Sequence, residues 1–132
     1  MAASSDFAKM SAPDCSPVEG VRRMFPQVVP SVPPAAVAAD AAVLDVREPD
    51  EWAAGHIPGA LHVPLWEVPS RLDALPEQEI VVVCRTGGRS ARAVAWLNRN
   101  GFEAVNLDGG MAAWAEAGRP MVSDTGDSPF VR

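Results

Sequence analysis

The sequence predicts an α/β fold, a parallel sheet with helices on both faces. Three observations carry this. Short apolar runs alternate with helix-like segments from residue 28 to 118, the βαβ rhythm of a parallel sheet. The run IVVVC (80–84) contains no charged or amide side chain, as expected of a strand buried on both faces. Arg47, Cys84 and Asp108 each follow a strand candidate, and open parallel sheets bind ligands beyond those carboxyl ends.

The elements follow in order. VVPSV (28–32) reads as a short strand, stopped by Pro33 and Pro34. PPAAVAAD (33–40) suits a short helix with proline in its first turn. VLDVR (43–47) is a strand. EPDEWAAG (48–55) has proline and acids at a helix start, where they match its positive end, and glycine at its stop. HIPGA (56–60) is a turn, with His56 fixing it through hydrogen bonds, and LHVPL (61–65) is a short strand. WEVPSRLDAL (66–75) is expected to be helical around its proline, with Trp66 either packing in the core or bordering the site.

EIVVVC (79–84) is the clearest strand. SARAVAWLNRNG (90–101) is a helix with Ala93, Val94, Trp96 and Leu97 on its apolar side and Arg92 and Arg99 on the other. AVNLDGG (104–110) is a strand and then a turn. GMAAWAEAG (110–118) is a helix closed by Gly118, with Met111, Trp114 and Ala115 on one face. The 132 residues favour one domain at 25–120, between a mobile N-terminal tail (1–24) and a C-terminal tail (121–132).

Composition narrows the function. A net charge of −6 argues against nucleic acid as a partner, because binding phosphates needs a basic surface. No apolar run is long enough to cross a membrane, and the first 25 residues hold no secretory h-region. The two cysteines, Cys15 and Cys84, form no disulfide framework. Without matching histidines they make no zinc site. The expectation is a cytoplasmic protein with no metal and no cofactor, in which Cys15 is incidental.

The chemistry concentrates in VVVCRTGGRS (81–90). Free cysteine near neutral pH is mostly thiol, and the thiolate is the reactive form. Arg85 and Arg89 lend positive charge. The helix start near Ser90 lends unpaired N–H groups, and Ser90 itself is a candidate N-cap. Gly87 and Gly88 let the backbone curl so that N–H groups face inward, an anion-binding nest. A side chain at either glycine would block the curl or crowd a ligand. The expectation is an ionised Cys84 at the floor of a small, accessible, electropositive bowl. Cys84 is the nucleophile, with Arg85, Thr86, Gly87, Gly88, Arg89 and Ser90 contacting the anion. Asp45 and Arg47 support the sheet end as an ion pair. Gly109 and Gly110 allow a tight turn that brings the last strand's end to the loop.

The chain resembles the rhodanese-like sulfurtransferases. CRTGGRS (84–90) is similar to their active-site loop and LDVRE (44–48) to their second-strand ending. EWAAGHIPGA (51–60) is similar to their N-terminal signature, with Trp52 where phenylalanine or tyrosine is common. LDGGMAAW (107–114) is similar to their last strand, turn and helix. The resemblance covers about residues 26–120. It implies a five-stranded parallel sheet in the order 1-5-4-2-3 and a persulfide intermediate on Cys84. The implied activity moves a sulfane sulfur from thiosulfate, or a similar small anionic donor, to a thiol, a protein acceptor or cyanide.

Two alternatives stand beside it. The protein could serve a partner as a persulfide carrier or binding module. A cysteine phosphatase or arsenate reductase is the other. Phosphatases place an arginine six positions after the cysteine, and here Arg89 falls one position early with Ser90 in its place.

Overall fold

The computed structural model describes residues 29–132. The expected N-terminal tail, Cys15 and the first residue of the 28–32 strand lie outside the described residues. Five parallel strands form one sheet: β1 (Ser31–Val32), β2 (Ala42–Asp45), β3 (Leu61–His62), β4 (Ile80–Val83) and β5 (Ala104–Leu107). Their order is β1-β5-β4-β2-β3, as the resemblance implies. The register sets Asp45 beside Val83 and Val82 beside Asn106, so the ends of the three central strands lie side by side.

Helices cover both faces, and the alternation along β4 shows how. Ile80, Val82 and Cys84 join Leu44, Val46, Ala93, Val94 and Leu97 in one core cluster, under helix α2 (Gly88–Arg99). Val81 and Val83 face the other way, onto Leu107, Met111 and Trp114, under helix α3 (Gly110–Glu116). Side chains of a strand alternate between faces. An uninterrupted apolar run is therefore what two covered faces require.

Helix α1 (Pro49–Ala54) begins with a capping box. Glu48 is the N-cap, and Glu51 Oε1 accepts the Glu48 backbone N–H at 2.9 Å. Two expected helices are 3-10 turns instead. Residues 33–40 contain only Pro34–Ala36, and 66–75 divides into Leu65–Ser70 and Leu72–Ala74. Pro69 lies inside the second of these three turns. It has no N–H to donate, and its ring crowds the preceding turn of an α-helix.

The segment expected as a free C-terminal tail is docked against α1. His56 and Val122 form an antiparallel bridge through both backbone N–H groups. The Asp124 and Phe130 N–H groups donate to the Ala53 and Ala54 carbonyls. Gly55 makes this possible, because a Cβ there would lie 2.4 Å from the Phe130 carbonyl oxygen. Polar composition suggested mobility, but backbone hydrogen bonds are indifferent to side-chain polarity. Among the described residues, no helix is long and apolar enough to cross a membrane.

Candidate active site

The loop after β4 is shaped by its neighbour, the turn after β5. The Cys84 carbonyl accepts the Met111 N–H at 2.8 Å, and the Arg85 carbonyl accepts the Ala112 N–H at 3.0 Å. Gly109 and Gly110 permit this approach. Both have positive φ, 77° and 61°. A Cβ on Gly110 would sit 2.5 Å from the Cys84 carbonyl oxygen, closer than any real contact. The tight turn expected of these two glycines is thus present and is what joins the two strand ends.

Fixing those carbonyls fixes the amides. A trans peptide points its N–H away from its own C=O. With the Arg85 carbonyl directed at α3, the Thr86 N–H turns the other way, toward the sulfur, where it acts with the N–H groups of Gly87 and Ser90. The Gly87 N–H donates to Cys84 Sγ at 3.1 Å. Gly87 adopts φ 113° as the N-cap of α2, a conformation that L side chains rarely take. The helix therefore opens at Gly88, and Ser90 stands inside its first turn rather than at its cap. From there the Ser90 hydroxyl lies 3.3 Å from Sγ.

Burial pushes the Cys84 thiol up. The Ser90 hydroxyl and then the N–H groups of Ser90, Gly87 and Thr86 outweigh it, and the net direction is down. The sulfur is held as an acceptor among inward donors, as expected. It is not the open floor of a bowl, for Cys84 is 1% exposed. It packs in the core cluster beneath α2, with Arg85, Thr86 and Gly88 of its loop on the outside. At Gly88 an added Cβ would meet no atom within 4 Å, so the protein's own packing does not demand glycine there.

The two arginines differ. Arg85 is exposed. Arg89 is held by Glu51 in a two-point pair, at 2.8 and 2.9 Å. This pair spans 38 residues of sequence and ties the loop to α1. Arg89 holds the Glu51 carboxyl at about 2, below its ordinary 4.5, with burial working the other way. Arg89 itself is raised.

Asp45 and Arg47 form a fully buried ion pair, Nη2 to Oδ2 at 2.7 Å. Arg47 Nη2 also donates to the Gly55 carbonyl at 2.8 Å, so the pair fastens the end of β2 to the end of α1. His56 is buried and fixes its turn through ring and backbone. Its Nδ1 lies 2.8 Å from the Trp52 carbonyl, and its ring is parallel to the Trp52 indole at 3.6 Å. Trp66 is 70% exposed and packs in no core.

Sequence reasoning missed Asn106. It sits in β5, yet its side chain reaches the loop. Its Oδ1 accepts the Ser90 hydroxyl at 2.6 Å, and its Nδ2 donates to the Gly87 carbonyl at 3.2 Å. The signal was present, since an amide in the middle of a buried strand needs hydrogen-bond partners. The second miss is Glu51, which reads locally as a helix-start acid.

The rhodanese-like domain family matches residues 35–117. The chain is 42% identical over 89 residues to a sulfurtransferase from Allochromatium vinosum, across 66% of this chain and 83% of that protein. It is 43% identical over 74 residues to YrkF of Bacillus subtilis, named for a sulfur-carrier role, across 54% of this chain and 40% of that one. A solved rhodanese-related protein from Thermoplasma volcanium matches with a TM-score of 0.67 at 34% identity, across 70% of this chain and 97% of that one.

Proposed function

The chain belongs to the rhodanese-like family of sulfurtransferases and sulfur carriers, and we propose that it moves a sulfane sulfur from a small anionic donor to a thiol through a persulfide on Cys84. Thiosulfate represents the donor. The Cys84 thiolate attacks its outer sulfur. A bond forms from Sγ to that sulfur, and the bond to the sulfite sulfur breaks, its electron pair leaving with sulfite. The acceptor, a thiolate in the cell or cyanide in an assay, then attacks the outer sulfur, and the Cys84 thiolate is regenerated. Two half-reactions through one covalent enzyme form predict ping-pong kinetics.

One observation carries this reading. Cys84 Sγ accepts the Gly87 N–H at 3.1 Å and has the Ser90 hydroxyl at 3.3 Å, at the carboxyl edge of a parallel sheet. These donors lower the thiol's pKa and so favour the thiolate. The remaining loop amides and the exposed Arg85 supply attraction for the donor's oxygens and for the persulfide charge. Cys84 is buried, so the packing around the sulfur has to open before the donor arrives. A thiolate nucleophile suits the reducing cytoplasm.

Phosphoryl transfer draws no support. The arginine is one residue early, and Glu51 occupies its guanidinium. The carrier role has a specific observation in its favour, because a covered sulfur suits handover to a docked partner better than rapid turnover on small molecules. One experiment addresses both. Native mass spectrometry after thiosulfate treatment should show one added sulfur atom, absent in Cys84→Ala. Added mass with negligible turnover to free thiols indicates the carrier, and no added mass overturns the persulfide chemistry.

A further inference from the structure

Four groups around Cys84 close a ring of hydrogen bonds. The Gly87 N–H donates to Sγ, Asn106 Nδ2 to the Gly87 carbonyl, and the Ser90 hydroxyl reaches both Asn106 Oδ1 and Sγ. The amide orientation is settled by its surroundings. Turned over, Asn106 would set its oxygen against the Gly87 carbonyl oxygen, acceptor against acceptor.

Ser90 is where the ring is contested. A hydroxyl has one proton, and here it has two acceptors, Oδ1 at 2.6 Å and Sγ at 3.3 Å. When Cys84 is a thiol, the proton goes to Asn106 and the S–H can donate to Ser90 Oγ, so every group is satisfied. When Cys84 is a thiolate, the sulfur draws the proton and Asn106 Oδ1 loses its donor. Ser90 and Asn106 are both buried, so water does not replace it freely. When Sγ becomes the bridging sulfur of a persulfide, the charge moves to the outer sulfur and the proton returns to Asn106.

We propose that Asn106 is a positioning residue for Cys84, deciding where the single Ser90 proton points and so favouring the thiol and persulfide states over the bare thiolate. The proposal rests on the persulfide reading above. At a pH above the Cys84 midpoint, where the resting form is the thiolate, it makes that thiolate less stable relative to the persulfide and so drives the first half-reaction forward. The charged groups near the sulfur, Arg85 and Arg89 with Glu51 beside it, are the same in wild type and in every variant below, so they do not account for a shift between them. Glu51 is held at about 2 and Arg89 is raised, so neither changes charge while Cys84 titrates. Asp45 and Arg47 are bonded to each other at the end of the neighbouring strand.

The test measures two quantities on the full chain: the midpoint of Cys84 alkylation rate against pH, and persulfide occupancy at a fixed thiosulfate-to-sulfite ratio and a pH above that midpoint. Asn106→Val frees the Ser90 proton for the thiolate. The midpoint should move to lower pH and occupancy should fall about threefold to tenfold. Asn106→Asp holds the proton more tightly and should move the midpoint to higher pH. A role in packing alone would move both variants the same way. Ser90→Ala removes the shared proton, so Asn106→Val on that background should produce no further shift.

A midpoint that rises in Asn106→Val, or shifts that add in the double variant, overturns the proposal. Should Asn106→Val not fold, the Asn106→Asp shift must shrink when Ser90 is replaced by alanine, and a shift of unchanged size overturns it equally. The two readings fail separately. If wild type never gains sulfur, the persulfide reading falls, whereas the alkylation midpoints still decide the role of Asn106.

Discussion

Two Gly-Gly pairs follow two adjacent strands, and each opens a helix, yet they are built to opposite ends. At 109–110 both residues have positive φ, and a Cβ on either would lie within 2.6 Å of another atom. At 87–88 only Gly87 has positive φ, and its nearest neighbour to an added Cβ is 3.6 Å away. Gly88 has nothing within 4 Å. One pair is glycine because the chain is packed tight against it. The other combines a backbone need at Gly87 with open space at Gly88. The closed pair sets the geometry of the loop that the open pair belongs to.

The largest expected effect comes from filling the closed turn. Gly110→Ala forces a Cβ into two backbone carbonyls at a φ of 61°. It should cost about 3 kcal/mol or more in chemical denaturation. Persulfide loading should fall with it, since the same turn holds the Cys84 and Arg85 carbonyls. Wild-type stability in the Gly110→Ala variant would erase the contrast.

Next comes the loop's other anchor, the pair between Arg89 and Glu51. Glu51 is depressed from 4.5 to about 2. Its contribution to stability is therefore complete above its unfolded value and is lost as pH falls through about 4.5 toward 2. Glu51→Gln should remove about 1–2 kcal/mol near neutral pH, after allowing for solvent screening, and flatten the acid limb of the stability curve. An unchanged acid limb would mean that the loop depends on α3 alone.

The smallest effect on stability belongs to Gly88→Ala. Its backbone is helical and the space is free, so stability should stay level or rise by about 0.5–1 kcal/mol. The sulfur-transfer rate should nevertheless fall if the donor uses that space. An unchanged rate would show that the donor approaches elsewhere, and the open pair would then differ from the closed one only in packing.

Much of this was legible in the sequence, for identifiable reasons. The strands announced themselves because burial on both faces leaves no polar residue in Val81, Val82 and Val83. The glycines after Asp108 announced a tight turn because few other residues permit one. Three features were not legible. The docking of 121–132 depends on backbone pairing with His56 and Ala53, which composition does not encode. The pair between Arg89 and Glu51 joins residues whose proximity exists only after folding. The burial of Cys84 follows from how the strand end packs once folded, and no local side-chain pattern records it. Asn106 lies between these cases, since its oddity was visible but its partners were not.

The covered position of Cys84 bears on how its reactivity is to be measured. A group shielded by a moving segment reacts at the product of two factors, the fraction of time the segment is displaced and the intrinsic rate once it is. A well-ionised thiolate can therefore look inert toward a bulky maleimide while responding readily to a slim reagent. Comparing reagents of graded size at one pH isolates the displacement, whereas varying pH with a single reagent isolates the protonation.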